Sequence, residues 1–410
     1  MAESRLSFRY FFMSLKYCPH CWPTKRRNHF IFHLNYYIDS IITFFKKSQQ
    51  IFERKNKHSG ATTIRALINI LSFLKIIRFA DDPNVTKLYN RSLIFFNEAK
   101  KRGLDIKTIK FLWFYVDEFR LIYKNKKYYY NAIPITIFPN DINYHDKFFT
   151  KKLLKEHGIP VSSGQVFTDT KKALRFGQTL GFPLVVKPSK ASLSHHVTCL
   201  INSDAELSAA IQIARKYRPA FIVEKYIHGN LFRATVIDKN VVFICQKDKA
   251  NIQGNGYSTI EELIKTKNNH INRGHTHQMN TTLHKIPIDN TLIKNLTDHG
   301  LNLKTILEKD KKIYLQNKYI LSYGCDIIGC SEDAHVDNKK LFIKIANILE
   351  TNLVGIDFIC PDINKSYKEQ ETAILECNDL PYIDMHQYPS HGKPEPVAEI
   401  VWDAVLNRLK

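Results

Sequence analysis

No stretch of this 410-residue chain strings together the roughly eighteen apolar residues that a membrane-crossing helix needs. The nearest approach, "HFIFHLNYYIDSIITFF", is broken by His33, Asn35 and Asp39 and reads as an amphipathic helix. The opening "MAESRLSFRYFFMSLKYC" scatters Glu3, Arg5, Arg9 and Lys16 through what a secretory signal would keep apolar, so no such signal is expected. Internal repeats and long low-complexity tracts are also missing. Of eight cysteines, only Cys18 and Cys21 form a C-x-x-C, with no second such pair and no His pair at zinc spacing. A zinc site is one reading; ordinary reduced thiols of a cytoplasmic protein are the other, and the preferred one.

Acidic residues are in short supply. Sixty Lys and Arg against 39 Asp and Glu leave a net charge of +21, which points to anionic partners such as nucleotide phosphates, nucleic acid or acidic lipid. Residues 1–60 alone hold eleven Lys or Arg against three Asp or Glu. A solvated basic face is the simpler reading, and an anionic surface, membrane or RNA, as docking partner is the sharper one.

The length suits two or three domains. Residues 1–85 read as a basic, mostly helical segment, with helical patterns near 30–53 and 63–79. Residues 86–144 read as a small α/β unit, in which "LYNRSLIFFNEAKKRG" is a helix ended by Gly103 and "FRLIYKNKKYYYNAIP" two strands turning around Lys124–Lys127. From 145 to 410, helices and strands alternate. Gly158 and Gly181 close two helices, Ser203 with Glu206 and Thr259 with Glu262 make capping boxes, and Asp337 caps "NKKLFIKIANILE". A short link around 362–371 implies antiparallel pairing of "LVGIDFIC" with "ETAILECN". The fold class is α+β, or mixed α/β, with more than one sheet.

Three kinds of residue break the apolar pattern. Glu376 and Asn378, two apart on a strand, share a face, and the neighbouring strand offers Asp357. Two carboxylates and a carboxamide suit a hard cation such as magnesium; pairing of the acids with surface lysines is the bland alternative. Lys187 ends the apolar strand "PLVVKPS", where an ammonium is costly without an anion. Lys147 begins a helix, where its charge opposes the dipole unless a ligand meets it, and Glu224 ends the strand of "FIVEKYIHG".

In their order, "DKFFTKKLLKEHGIPV", "GFPLVVKPS", "FIVEKYIHG", "GNGYSTIEELI", "INRGHTH", "DAHVDN", "LVGIDFICPDI" and "ILECNDLPYIDMHQYPSHGKP" resemble the ATP-grasp superfamily. The likeness is closest to the ATP-grasp domain of cyanophycin synthetase, shared in part with bifunctional glutathione synthetases and D-alanine–D-alanine ligase. It covers about 145–410, with a looser echo from 88. The resemblance implies two α+β subdomains gripping a nucleotide and an ATP-dependent carboxylate–amine ligase acting on amino acids or peptides through an acyl phosphate. It implies Lys147 and Lys187 on phosphates, Ser192 and Ser194 in the loop over them, and Glu224 with the backbone at Lys225 and Ile227 on adenine. Asp357, Glu376 and Asn378 would ligate magnesium, with manganese as an alternative, and Arg233 would serve catalysis.

Some positions depart from the family pattern. Ala191, Ser194 and His196 stand where glycines are expected, Leu231 where an acid would hold ribose, and Gln316, Ile320 and Cys325 where arginine, asparagine and glycine would be. These changes support a competing expectation: a degenerate nucleotide-binding protein without ligase activity, acting through partners.

Overall fold

The computed structural model describes Cys18, His29 and residues 72–410, apart from 84, 86, 113, 139–146, 191–194 and 276–277. The helical pattern expected at 30–53 and the loop serines Ser192 and Ser194 lie outside these residues. The described residues form two compact units, both of mixed helix and antiparallel sheet.

The first unit contains Cys18, His29, Lys147–Phe148 and Ser162–Tyr226. Its sheet has four strands in the order Gly164–Phe167, Phe221–Lys225, Leu184–Pro188, Thr198–Ile201. Alternation divides the two central strands by face. Leu184, Val186, Phe221 and Val223 are fully buried beneath the helices Thr170–Leu180 and Asp204–Tyr217, while Lys187 and Glu224 take the opposite side.

The second unit contains the described residues of Ile68–His145, Phe149–Val161 and Ile227–Lys410. Its five-stranded sheet runs Asp326–Gly329, Val241–Asp248, Asn230–Ile237, Leu353–Cys360, Ala373–Asn378. One face is apolar: Phe232, Ala234, Val236, Ile356 and Phe358 pack against the helix Val336–Ile348. A smaller sheet of Ile77–Ala80, Asp105–Phe111, Phe114–Tyr123 and Lys126–Asn131 belongs to the same unit. It shares a core with the C-terminal helix Val397–Leu409, where the fully buried Trp402 donates its indole N–H to the Phe95 carbonyl at 2.9 Å.

Local signals mostly act where expected. The helix Asn90–Lys101 stops ahead of Gly103, whose φ of 71° few other residues tolerate. Lys124 and Asn125 both take left-handed φ, the two-residue turn that matches the twist of its strands. The Thr259–Glu262 capping box forms fully.

Three details differ. Ser203 accepts from the Glu206 amide, but the Glu206 carboxylate accepts from the Asn202 N–H, one residue upstream of the reciprocal position. Helix Val336–Ile348 is capped by His335, whose Nδ1 accepts from the Asp337 amide, so Asp337 lies inside the first turn. The helical pattern expected to 79 gives way to the strand Ile77–Ala80, because pairing with Asp105–Phe111 satisfies its backbone and overrides local preference.

Replacing Trp402 with Ala opens a large cavity beside Phe95 and Tyr130 and removes the partner of the Phe95 carbonyl. Urea unfolding of Trp402→Ala is expected to show a loss of about 3–5 kcal/mol. A loss below about 1 kcal/mol would mean that the C-terminal helix does not share this core.

Candidate active site

Strand register explains how the polar residues meet. In the five-stranded sheet Arg233 lies opposite both Cys245 and Asp357, and Asp357 lies opposite Glu376. Directly opposed residues share a face, so Arg233, Asp357 and Glu376 form one row across three strands. Asn378, Gly355 and Thr235 form the next row. Lys247, two residues beyond Cys245, joins the same face from a fourth strand. The sheet is therefore amphipathic, with its polar side bearing all three expected metal ligands.

Charge is tightly coupled there. Arg233 Nε donates to Asp357 Oδ1 at 2.8 Å and Lys247 Nζ donates to the same oxygen at 3.1 Å. Burial alone would raise the Asp357 carboxyl. The two cations outweigh it and hold the group well below the usual carboxylate range. With both cations on Oδ1, Oδ2 is the oxygen left for a ligand. Arg233 Nη1 is buried with no hydrogen-bond partner among the described residues. Gly355 leaves it room: a Cβ there would come within 3.1 Å of this nitrogen and 2.5 Å of Pro381.

His386, on the short helix Asp384–Gln387, is fully buried, with Nε2 2.8 Å from Thr235 Oγ1. Burial first, and the Arg233 and Lys247 cations second, push its imidazole down to about 3. The ring is neutral at physiological pH. Neither Lys247 nor His386 was expected from the sequence. Strand alternation in "VVFICQKD" places Lys247 on the Cys245 face, but nothing local tells which face turns polar.

In the first unit, Lys187 Nζ lies 2.5 Å from Glu224 Oε1, and Ser162 donates its hydroxyl to Glu224 Oε2 at 3.1 Å. Each residue sits diagonally from the other on adjacent antiparallel strands. Lys225 donates its backbone N–H to Ser163 and its ammonium to the carbonyls of Gly181 and Phe182. The Lys225 backbone N–H is therefore already engaged. Lys147 is the first residue of the helix Lys147–Glu156, as expected. His195 and His196 are 3% and 0% exposed, so they turn into the unit rather than out over a ligand. Ile227 follows the strand Phe221–Lys225 in a stretch with no regular structure.

The oxygen donors suit magnesium. Asp357 Oδ2, the Glu376 carboxylate directly across and the Asn378 carboxamide are hard ligands on a half-buried surface. The polar face thus combines anionic oxygens for a hard cation with guanidinium and ammonium groups for an anion, the pairing that phosphoryl transfer requires.

Comparison with known proteins agrees with this reading of the fold. Residues 153–318 match the family model described as D-ala D-ala ligase C-terminus. Over 265 residues the chain is 36% identical to the cyanophycin synthetase of Geminocystis herdmanii, a match covering 64% of this chain and 30% of that protein. It is 29% identical over 265 residues to the glutathione biosynthesis bifunctional protein of Clostridium perfringens, covering 64% and 34%. The crystal structure of a bifunctional glutathione synthetase from Pasteurella multocida superposes with a TM-score of 0.61 at 21% identity, covering 79% of this chain and 44% of that one. Over these residues the chain is similar to ligases of the ATP-grasp superfamily, and its fold matches theirs. Within that superfamily it is similar to the cyanophycin synthetases, of whose length it spans about a third.

The neutral His386 carries a pH signature. Between pH 6.5 and about 3 the unfolded imidazole binds a proton that the folded one does not. Stability should therefore fall with pH over that window, by up to about 1.4 kcal/mol per unit from this group. Chemical unfolding of His386→Gln and the parent at pH 7, 6 and 5 should show the parent losing its lead as pH falls. Parallel pH profiles would mean that the ring takes up its proton alike in the folded and unfolded chain.

Proposed function

We propose that this protein is an ATP-dependent carboxylate–amine ligase that forms an amide or peptide bond on an amino-acid or peptide substrate through an acyl phosphate. One observation carries the reading: Arg233, a buried cation with an unmet donor at Nη1, shares a sheet face with Asp357, Glu376 and Asn378. A buried donor without a partner calls for an anion, and the row of oxygens beside it calls for a cation.

ATP would supply the phosphoryl group, and magnesium would neutralise the charge that builds on it. Lys147 and Lys187 are assigned to the phosphates, with Ser192 and Ser194 in the loop beside them. Glu224, the Lys225 carbonyl and Ile227 are assigned to adenine. Asp357, Glu376 and Asn378 would hold the metal, and Arg233 and Lys247 would orient a carboxylate or an acyl phosphate on the substrate side. The Lys187–Glu224 pair keeps two buried charges neutralised. The matched ligases support this reaction class; the substrates are this chain's own and follow from no match. An anionic docking partner for the basic residues 1–60 stands as a separate proposal, tested by salt-dependent binding to acidic vesicles or RNA. No helix among the described residues is long and apolar enough to cross a membrane.

A second reading, nucleotide binding without ligation, rests on Gln316. This residue stands where the resemblance puts an arginine, and its Nε2 is buried without a partner among the described residues. A neutral amide stabilises an acyl phosphate less than a guanidinium does.

Magnesium-dependent ADP release, screened against pools of amino acids and peptides, separates the two. Turnover on one pool is expected, and binding of ATP with no turnover on any pool would favour the second reading. Asp357→Asn and Glu376→Gln are expected to cut turnover at least about 100-fold while circular dichroism stays unchanged. Full turnover in both variants would remove these residues from the metal site.

A further inference from the structure

Outside the polar sheet faces, Cys18, His29 and His196 bring a thiol and two imidazoles together in the first unit. One ligand atom from each lies within 4.8 Å of the others. His196 is fully buried and Cys18 nearly so. Cys18 Sγ lies 3.4 Å from His196 Nε2. A sulfur and a nitrogen bound to one tetrahedral zinc stand about 3.6 Å apart, given Zn–S and Zn–N bonds of about 2.3 and 2.05 Å.

The tautomer agrees. His196 Nδ1 lies 2.6 Å from the Ile213 carbonyl, which can only accept, so Nδ1 carries the proton and Nε2 turns its lone pair toward Cys18. A backbone carbonyl on the far nitrogen is the usual support for a metal-bound histidine. A plain S–H···N hydrogen bond would account for Cys18 and His196, but not for His29. Its ring stands edge-on to that of His196, centroids 5.0 Å apart, with a third donor atom in the same small volume. Three such donor atoms in one small volume are the arrangement that a tetrahedral cation takes up.

We propose that Cys18, His29 and His196 hold a structural zinc ion. Sulfur and imidazole donors select zinc over magnesium or calcium. These three donors leave one position of a tetrahedral zinc for a further ligand. The ion ties the stretch around Cys18 and His29 to His196, which holds a φ of 53° just ahead of the strand Thr198–Ile201. In sequence, His196 ends the segment that stands where the resemblance has a phosphate loop, so the ion fixes the root of that segment from the N-terminal side. The site needs no nucleotide and does not depend on the ligase reading.

The test uses the full chain expressed in zinc-supplemented medium. Elemental analysis should find about one zinc per chain, and cobalt substitution should give the intense visible bands of a tetrahedral site with sulfur-to-metal charge transfer. Cys18→Ser and His29→Gln should each weaken zinc at least about tenfold, measured by competition with a chromogenic chelator. Cys199→Ser, which removes an exposed thiol nearby in sequence, should leave zinc unchanged. Parent protein that neither purifies with zinc nor binds added zinc or cobalt would overturn the proposal, and needs no variant to fold. Loss of zinc in Cys199→Ser but not in Cys18→Ser would also overturn it, because the ion would then sit on the surface.

Discussion

Asp357 places a full negative charge on a largely buried sheet face, and the second unit is arranged around making that tolerable. Two cations converge on one of its oxygens, Arg233 from one side strand and Lys247 from the strand beyond. Taking the carboxylate away would leave both cations without their shared partner, and stranding a buried charge typically costs about 3–5 kcal/mol. The strand register that sets Arg233 opposite Asp357, and Asp357 opposite Glu376, is therefore held electrostatically as well as by the apolar face beneath. A slip of one residue would exchange the two faces and bury all of these charges in hydrocarbon.

The first unit repeats this plan on a smaller scale. Lys187 and Glu224 sit on the polar side of a sheet whose other side is wholly apolar, and they neutralise each other at 2.5 Å. In both units a buried charge is tolerated because a neighbouring strand delivers its opposite. Such groups are poor contributors to stability compared with apolar residues of the same size. The neutral His386, fixed against Thr235 and repelled as a cation by Arg233 and Lys247, completes the polar face without adding charge.

The segment between Asn251 and Tyr314 shows a third use of buried charge, in joining one part of the unit to another. It builds its own core from Ile252, Ile260, Ile264, Leu292 and Leu296. Asp326, on the edge strand of the large sheet, receives Arg273, Lys267 and Asn251 from this segment. The segment is thereby tied to the sheet by hydrogen-bonded ion pairs as well as by chain connectivity.

Much of the fold was legible locally. Gly103, Gly158 and Gly181 end helices at the places their freedom of φ suggests, and alternation in "LVGIDFIC" and "ILECN" puts Asp357, Glu376 and Asn378 on the side faces they occupy. Period and capping depend on neighbours a few residues apart, and such information is written in the chain itself. The partners of those residues were not legible. Lys247 lies 110 residues from the carboxylate it meets and His196 lies 178 from Cys18. Composition and spacing say nothing about which distant strand or loop will arrive. Cys18 looked like an ordinary thiol because His196, the imidazole it meets, is far away in sequence. Residue types, periodicity and motif order were enough to suggest an ATP-grasp fold and to put Asp357, Glu376 and Asn378 on one face. Strand register and long-range packing alone decided which cations neutralise that trio and which histidines face Cys18, because those contacts form only when segments far apart in the chain are brought together.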